Sequence, residues 1–377
     1  DRESTKTDPN DTRFLAYGVL DQDFLLNLSS FQLVTLYILA EWVLLPSWSN
    51  NASNSFWKPF FDVWPSSEEL RSIPAIWNCS RRSKYKSLLH LLPLASKNDY
   101  VRISSLVELD WSVISPILKK WGDMFGKARQ DYPSVEQLYE SFLHVYFVIN
   151  SRCLHAEIAL KTDDMPSQFT MVPYVDFINH TDETDLHCYP KLNQSPQNVH
   201  DIGQFEILCG EYCYENKGEQ LLLNYGPHSN DFLLSEYGFT LEHNKWDYVD
   251  ISDEVMKMME GKDELESFLK YHEYWGDYTI SLNEVSYRII VALSLIVTLD
   301  FKRVEKLLNG YMSEDYFLPT ITPVLQKILK RLLNTYRKKI ENLQDASMES
   351  VDDFCVRNVT KLYSSYIEII ENNLERS

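Results

Sequence analysis

MVPYVDFINH at residues 171–180, read together with GEQLLLNYGPHSNDFLLSEYGF at 218–239, decides how this chain folds. Both stretches carry short apolar runs that end on polar groups. In the first these are Asp176, Asn179 and His180; in the second they are Asn224-Tyr225-Gly226 and then Tyr237-Gly238-Phe239. Runs of this length, rich in Val, Leu, Ile, Tyr and Phe, predict strands or strand ends over FTMVPYVDFI, FEILCGEYCY and EQLLLNYG, separated by turns such as NKGE. Polar groups that interrupt apolar segments lose free energy unless they find partners. Asp176, Asn179, His180, Tyr225 and Tyr237 are therefore expected to meet one another or a ligand.

Outward from this region the pattern turns helical on both sides. LYESFLHVYFVINSRCLHAEIAL (138–160) is long and apolar, with Ser134 ahead of Glu136-Gln137 as its start. Its polar members near the end, Asn150, Arg152 and His155, call for partners. Further upstream, FQLVTLYILAEWVLL (31–45) predicts a buried helix capped by Ser29 or Ser30 and stopped by Pro46. SFWKPFFDVWP (55–65) gathers Phe56, Trp57, Phe60, Phe61 and Trp64 into a packed turn, and Ser66-Ser67-Glu68-Glu69 predicts another helix start. The opening residues, with the turn pair Asp8-Pro9, read as a loop. Downstream, EVMKMMEGKDELESFLKYHEYW, EVSYRIIVALSLIVTLDFKRVEKLLNG and TPVLQKILKRLLNTYRKKIENLQ predict helices to about Glu375, with Gly310 as a C-cap.

Charge narrows the partners. The 55 acidic and 36 basic residues leave a net charge of −19, which repels a phosphate backbone and attracts a basic protein or lysine-rich segment. Direct nucleic-acid binding is not expected. The clusters Arg81-Arg82-Ser83-Lys84 with Lys86, and Lys327, Lys330, Arg331, Arg337, Lys338 and Lys339, read as solvated helix faces. The six cysteines form no CxxC pair. Cys209 and Cys213, with His187 and Cys188 upstream, come nearest to a ligand set, and no metal is expected. Leu33–Leu45 is too short and too polar to span a bilayer, and the first residues do not read as a signal peptide. The sequons at Asn27, Asn51, Asn78 and Asn358 are discounted, so a cytoplasmic, and also nuclear, monomer is expected.

At these residues the sequence resembles a known family. MVPYVDFINH with GEQLLLNYGPHSNDFLLSEYGF is similar to the C-terminal half of the SET domain, in the branch of the Rubisco large-subunit methyltransferases and the enzymes acting on ribosomal proteins and translation factors. VINSRCLH (148–155) matches the Ser-Arg that this branch places ahead of that core. The resemblance implies an α+β fold: small β-sheets in a pseudo-knotted core, a large helical insertion and an all-helical C-terminal domain. The division it implies is 1–25 for a divergent or incomplete N-terminal SET portion, 26–165 for the insertion, 166–240 for the C-terminal half of the core and 241–377 for a substrate-binding-like helical domain.

What the resemblance implies for chemistry is S-adenosylmethionine-dependent methylation of a lysine on a non-histone protein, a basic ribosomal or translation protein being the expected partner. Asn179 and His180 would hold the cofactor, Arg152 would line its pocket, and Asp176 would support the pocket and its turn. Tyr225 would be the active-site tyrosine, and Tyr237 would wall the lysine channel. The family opens its SET domain with a glycine-rich segment, whereas residues 1–25 contain only Gly18. A lobe lying upstream is the favoured expectation, against divergence or lost activity. The competing readings are a catalytically inactive SET-like binding module, and an unrelated helical scaffold or hydrolase that lacks a Gly-x-Ser-x-Gly elbow.

Overall fold

The structure is a computed structural model that describes residues 12–48, 55–125, 132–155, 169–193, 204–347 and 353–376. The expected Asp8-Pro9 turn, the Asn51 sequon and the AEIAL end of the 138–160 segment lie outside the described residues. The chain divides into two compact units. The first comprises Asp1–Ser83, Asp99–Gly226 and Ser235–Gly238; the second comprises Lys84–Asn98, Pro227–Leu234 and Phe239–Ser377.

In the first unit, α1 (Ser30–Ile38) starts on a capping box: Ser29 Oγ accepts from the Gln32 N–H, and the Gln32 side chain accepts from the Ser29 N–H. The expected single helix then widens into a π-helical stretch, Leu39–Leu44, before a last α turn at Leu45–Trp48. Glu41 falls in that stretch with its carboxylate buried, where it accepts from Arg13 Nε at 3.2 Å and Tyr17 Oη at 2.6 Å. These bonds supply the partners that a buried charge requires. Two longer helices follow, α2 (Leu94–Phe125) and α3 (Val135–Arg152). Pro116 sits inside α2, and it is tolerated because the Ser112 carbonyl it leaves without a helical donor lies on an exposed turn. Ser134 and Gln137 form the capping box of α3, whose buried face, Leu138, Phe142, Val145, Tyr146 and Ile149, joins the core with Phe31, Leu36 and Leu39.

Between Pro65 and Pro74 the Ser66 start misses its helix. Ser66 and Glu69 do exchange capping bonds of 2.8 and 3.3 Å, but the residues turn rather than wind. A proline at each end leaves too few residues for a stable helix, and Pro74 pushes Ile73 out of helical dihedrals. Of the five aromatics at 56–64, Phe60, Phe61 and Trp64 pack into a lattice with Trp42, whereas Phe56 remains exposed.

The β-structure is slight and placed where the site needs it. β1 (Leu154–His155) pairs antiparallel with β2 (Phe169–Thr170). A four-stranded sheet holds β3 (Asn179–His180), β4 (His187–Asn193), β5 (Gln204–Leu208) and β6 (Leu222–Leu223) in the order β3-β6-β4-β5. The strand expected over FTMVPYVDFI is cut short: Pro173 brings no N–H, Tyr174 has φ of 71°, and Val175–Phe177 form a 3₁₀ turn. β6 runs parallel to both neighbours, with Asn179 opposite Leu222 and His180 opposite Leu223 on one side, and Cys188 opposite Leu223 on the other.

Short α4 (Asn230–Tyr237) follows β6 and gives residues to both units. The rest of the second unit is largely helical: α5 (Asp263–Tyr271), α6 (Tyr287–Thr298), α7 (Phe301–Leu308), α8 (Leu318–Ser347) and α9 (Asp353–Arg376). It also contains a two-stranded antiparallel sheet, β7 (Tyr248–Asp250) with β8 (Thr279–Ser281). The single helix expected over 284–310 breaks at Leu299, which adopts a left-handed φ of 52°, and Asp300 caps α7 by accepting from the Arg303 N–H. Gly310, at φ 72°, follows the end of α7 as its sequence position implies.

A buried acidic network holds this unit. Asp231 accepts from the Ser96 N–H at 3.1 Å and from the hydroxyls of Ser96 and Tyr366. Asp247 accepts from the Asn230 N–H at 3.0 Å, from the Asn230 side chain and from Ser365. Burial pushes the Asp231 carboxyl up to about 6 from an ordinary 3.8, against the pull of its hydroxyl donors, and raises Asp247 as well. The folded chain therefore keeps a proton that the unfolded chain has released between about pH 4 and 6. Stability rises as pH falls through 6 and levels off below 4. The urea midpoint is expected to rise between pH 7 and 5 by more in the native protein than in Asp231→Asn; the same pH dependence in both would remove Asp231 as its source.

Candidate functional site

The site is built in the first unit, where β6 lies between strands that precede it in sequence. Because β6 is parallel to β3, the residues just past Leu223 emerge beside the end of β3. The Tyr225 N–H donates to His180 Nδ1 at 3.0 Å, and the Tyr225 hydroxyl donates to the Ile178 carbonyl at 2.7 Å. The His180 and Tyr225 ring centroids are 5.1 Å apart. A nitrogen that accepts a backbone N–H bears no proton of its own, so the His180 ring is neutral with its proton on Nε2. Its basic lone pair is already engaged. Tyr225 is no better as a base: burial first, and Asp176 in addition, push its phenol up to about 12, although Arg152 opposes. At neutral pH it is a neutral hydroxyl whose proton points at Ile178.

Tyr237 extends the row. Its centroid lies 5.0 Å from that of Tyr225 with 42° between the planes, and burial pushes its phenol up to about 12. Tyr237 is the last residue of α4, and Gly238 ends the helix at φ 82°. No other residue fits there easily, since a Cβ at 238 would meet Ser72 Oγ at 2.6 Å and Ile73 Cγ1 at 3.0 Å.

On the other flank, Arg152 closes α3. Its Nη1 donates to both the carbonyl and the Oδ2 of Asp176, each at 3.0 Å, and its guanidinium lies 5.9 Å from the centroid of Phe177. A cation in the last helical turn is favoured by the helix dipole. The Asp176 side chain is fully buried; burial raises its carboxyl, Arg152 pulls it back, and Oδ1 has no partner among the described residues.

The six residues singled out in the sequence therefore fall into three groups. Arg152 and Asp176 form an ion pair; His180, Tyr225 and Tyr237 form a row of rings; and Asn179 stands beside His180 with its side chain exposed on β3, an edge strand of the sheet. His155 lies in β1, opposite Phe169. Cys188 is buried on β4, 3.6 Å from Tyr214 Oη, while Cys209 and Cys213 are exposed. Among the described residues no three His, Cys, Asp or Glu side chains converge on a metal position.

One side chain bonded beside the site does not stand out in the sequence. Glu236, beside Tyr237, takes Arg102 Nη2 at 2.6 Å and Asn150 Nδ2 at 2.8 Å. The polar Asn150 near the end of an apolar helix was the available signal, but its partner carried none.

Residues 247–376 match the family described as the ribosomal lysine N-methyltransferase 2 C-terminal domain. Ribosomal lysine N-methyltransferase 2 of Saccharomyces cerevisiae is 51% identical over 376 residues, covering 97% of this chain and 78% of its own length. Ribosomal lysine N-methyltransferase set11 of Schizosaccharomyces pombe is 28% identical, covering 58% of this chain and 57% of its own length. Among solved structures, the SET domain of LSMT bound to lysine and AdoHcy aligns with 96% of this chain and 78% of that one, with a TM-score of 0.54 at 15% identity. That likeness speaks for the fold alone.

Replacing Arg152 with Met leaves Asp176 buried beside no cation. Since Arg152 is about a fifth exposed, the expected loss is about 1–3 kcal/mol in denaturant unfolding, below the value for a fully buried pair. Adding Asp176→Asn should recover at least half of that loss. Additive losses in the double variant would show that the two side chains are not coupled.

Proposed function

The chain belongs to the ribosomal lysine N-methyltransferase 2 family of SET-domain proteins, and from that premise we propose that it transfers a methyl group from S-adenosylmethionine to a lysine side chain of a ribosomal protein. The observation that carries this reading is the double tether of Tyr225 to the β3 segment, backbone to His180 and hydroxyl to Ile178.

S-adenosylmethionine, when bound, supplies a methyl group on a positively charged sulfur, a reaction that needs alignment and a neutral amine but no metal. The residues present fit such a cofactor. Asn179 offers an exposed amide on an edge strand, and Asp176 a buried carboxylate oxygen that no side chain fills. Asn179, His180, Arg152 and Asp176 would hold it.

The lysine enters as an ammonium with a reference pKa of ~10.4, so deprotonating it at pH 7 costs roughly 4–5 kcal/mol. The aromatic walls of Tyr225 and Tyr237 lower that cost by withdrawing the charged form from water. Tyr225 then orients the nucleophile. The ammonium proton leaves to solvent before transfer. Because the Tyr225 hydroxyl donates to the Ile178 carbonyl, its oxygen can accept from the amine N–H, and the N–C bond forms as the S–C bond breaks, the cofactor leaving as a neutral thioether. His180 holds the Tyr225 backbone and takes no proton.

The net charge of −19 supports a basic partner met through electrostatic attraction. We take the protein to act as a monomer in the cytoplasm or nucleus, without binding nucleic acid directly.

Incubating the protein with labelled S-adenosylmethionine and purified ribosomal proteins, followed by mass mapping, should place label on one or a few lysines. Tyr225→Phe should lower turnover by about 100-fold while leaving cofactor affinity within about twofold. Equal losses in both would remove Tyr225 from the transfer step. No labelled lysine, with cofactor binding retained, would favour an inactive binding module.

A further inference from the structure

We propose that Glu236 is a positioning residue: gripped by Arg102 and Asn150, it sets the ring of Tyr237 against that of Tyr225 and so fixes the lysine channel. The proposal rests on the reading of Tyr225 and Tyr237 as channel walls. Three bonds converge on this one residue. Arg102 Nη2 reaches Oε1 at 2.6 Å, Asn150 Nδ2 reaches Oε2 at 2.8 Å, and the same Asn150 nitrogen lies 3.3 Å from the Glu236 carbonyl. Side chain and backbone are therefore held together, immediately before the peptide that carries Tyr237. On its other side Tyr237 is followed by Gly238, whose left-handed φ and close approach to Ser72 and Ile73 leave no slack. The ring is pinned from both ends of its own backbone.

The grip also indexes one part of the site to the other. Asn150 and Arg152 stand two residues apart on the last turn of α3, and two residues advance a helix by about 200°, so their side chains leave on opposite sides. Arg152 takes Asp176, next to the Asn179-His180 strand; Asn150 takes Glu236, next to Tyr237. One helical turn thereby sets the spacing of both segments. The Arg102 pair is half-exposed and contributes little stability alone. The charge-assisted Asn150 bond, more shielded, supplies direction.

The test uses the full chain with 3-fluorotyrosine at position 237, followed by fluorine NMR, and needs no turnover. The native protein should give one sharp resonance. Glu236→Ala should shift and broaden it, and Glu236→Gln, whose single side-chain oxygen can serve only one of the two donors, should fall between native and Glu236→Ala. A Glu236→Ala resonance superimposable on the native one overturns the proposal. If that variant does not fold, Asn150→Ala and Arg102→Met loosen the same grip and are read in the same way.

The kinetic arm uses whichever ribosomal protein is labelled above. Glu236→Ala should raise its KM about tenfold with the cofactor Kd unchanged, and should add less than twofold in a Tyr237→Ala background, where the ring it positions is gone. Independent, multiplicative effects in the double variant would also overturn the proposal. Absence of labelling by the native protein would count against the functional reading alone, and the fluorine spectrum would still decide the role of Glu236.

Discussion

A two-residue strand inserted between two earlier ones organises everything around the site. Leu222-Leu223 pairs in parallel with Asn179-His180 on one side and with His187-Cys188 on the other. Parallel neighbours cannot be joined by a hairpin, so the chain must leave β4, pair β5 against it and return through the gap. A ladder this short contributes few hydrogen bonds of its own. It is the burial of Leu223 and the bonds made just beyond it, to His180 and Ile178, that lock the register. A slip of one residue would turn Leu223 out of the core and carry Tyr225 away from both partners.

Around that insertion, buried or part-buried carboxylates are held in small sets of polar groups. Arg152 with Asp176, Glu236 with Arg102 and Asn150, and Glu41 with Arg13 and Tyr17 each combine a carboxylate with donors from elements distant in sequence. In the second unit Asp231 and Asp247 are held by hydroxyl, amide and backbone donors with no cation, and burial raises both carboxyls, as it raises Asp176 against the pull of Arg152. A buried carboxylate opposite a guanidinium stays charged more readily than one opposite hydroxyls, because only the guanidinium offsets the lost hydration with full charge.

What the sequence disclosed tracks how local each cause is. The caps expected at Ser29 or Ser30 and at Ser134 depend on residues a few positions apart, and the structure forms capping boxes at Ser29 and at Ser134. Arg152 and Asp176 stood out as charges in apolar surroundings, and the structure pairs them. The same reasoning overreached at Ser66, where the local signal was present but two prolines outside the window forbade the helix. It also missed the break at Leu299, an ordinary helix former pressed into left-handed dihedrals so that Asp300 can begin the next helix. The π-helical stretch at Leu39–Leu44 has no periodic signature distinct from an α-helix. Glu236 reads as a solvated charge until Asn150, 86 residues earlier, is placed beside it.

The acceptor for the Tyr225 hydroxyl is the main-chain carbonyl of residue 178, and every amino acid carries that group. Drift at position 178 can therefore change volume and packing but cannot delete the acceptor, whereas position 225 loses the bond with the removal of one oxygen. The contact is vulnerable from one end only. Variation across related chains should accordingly be asymmetric about this bond, permissive at the residue whose carbonyl accepts and strict at the residue whose hydroxyl donates.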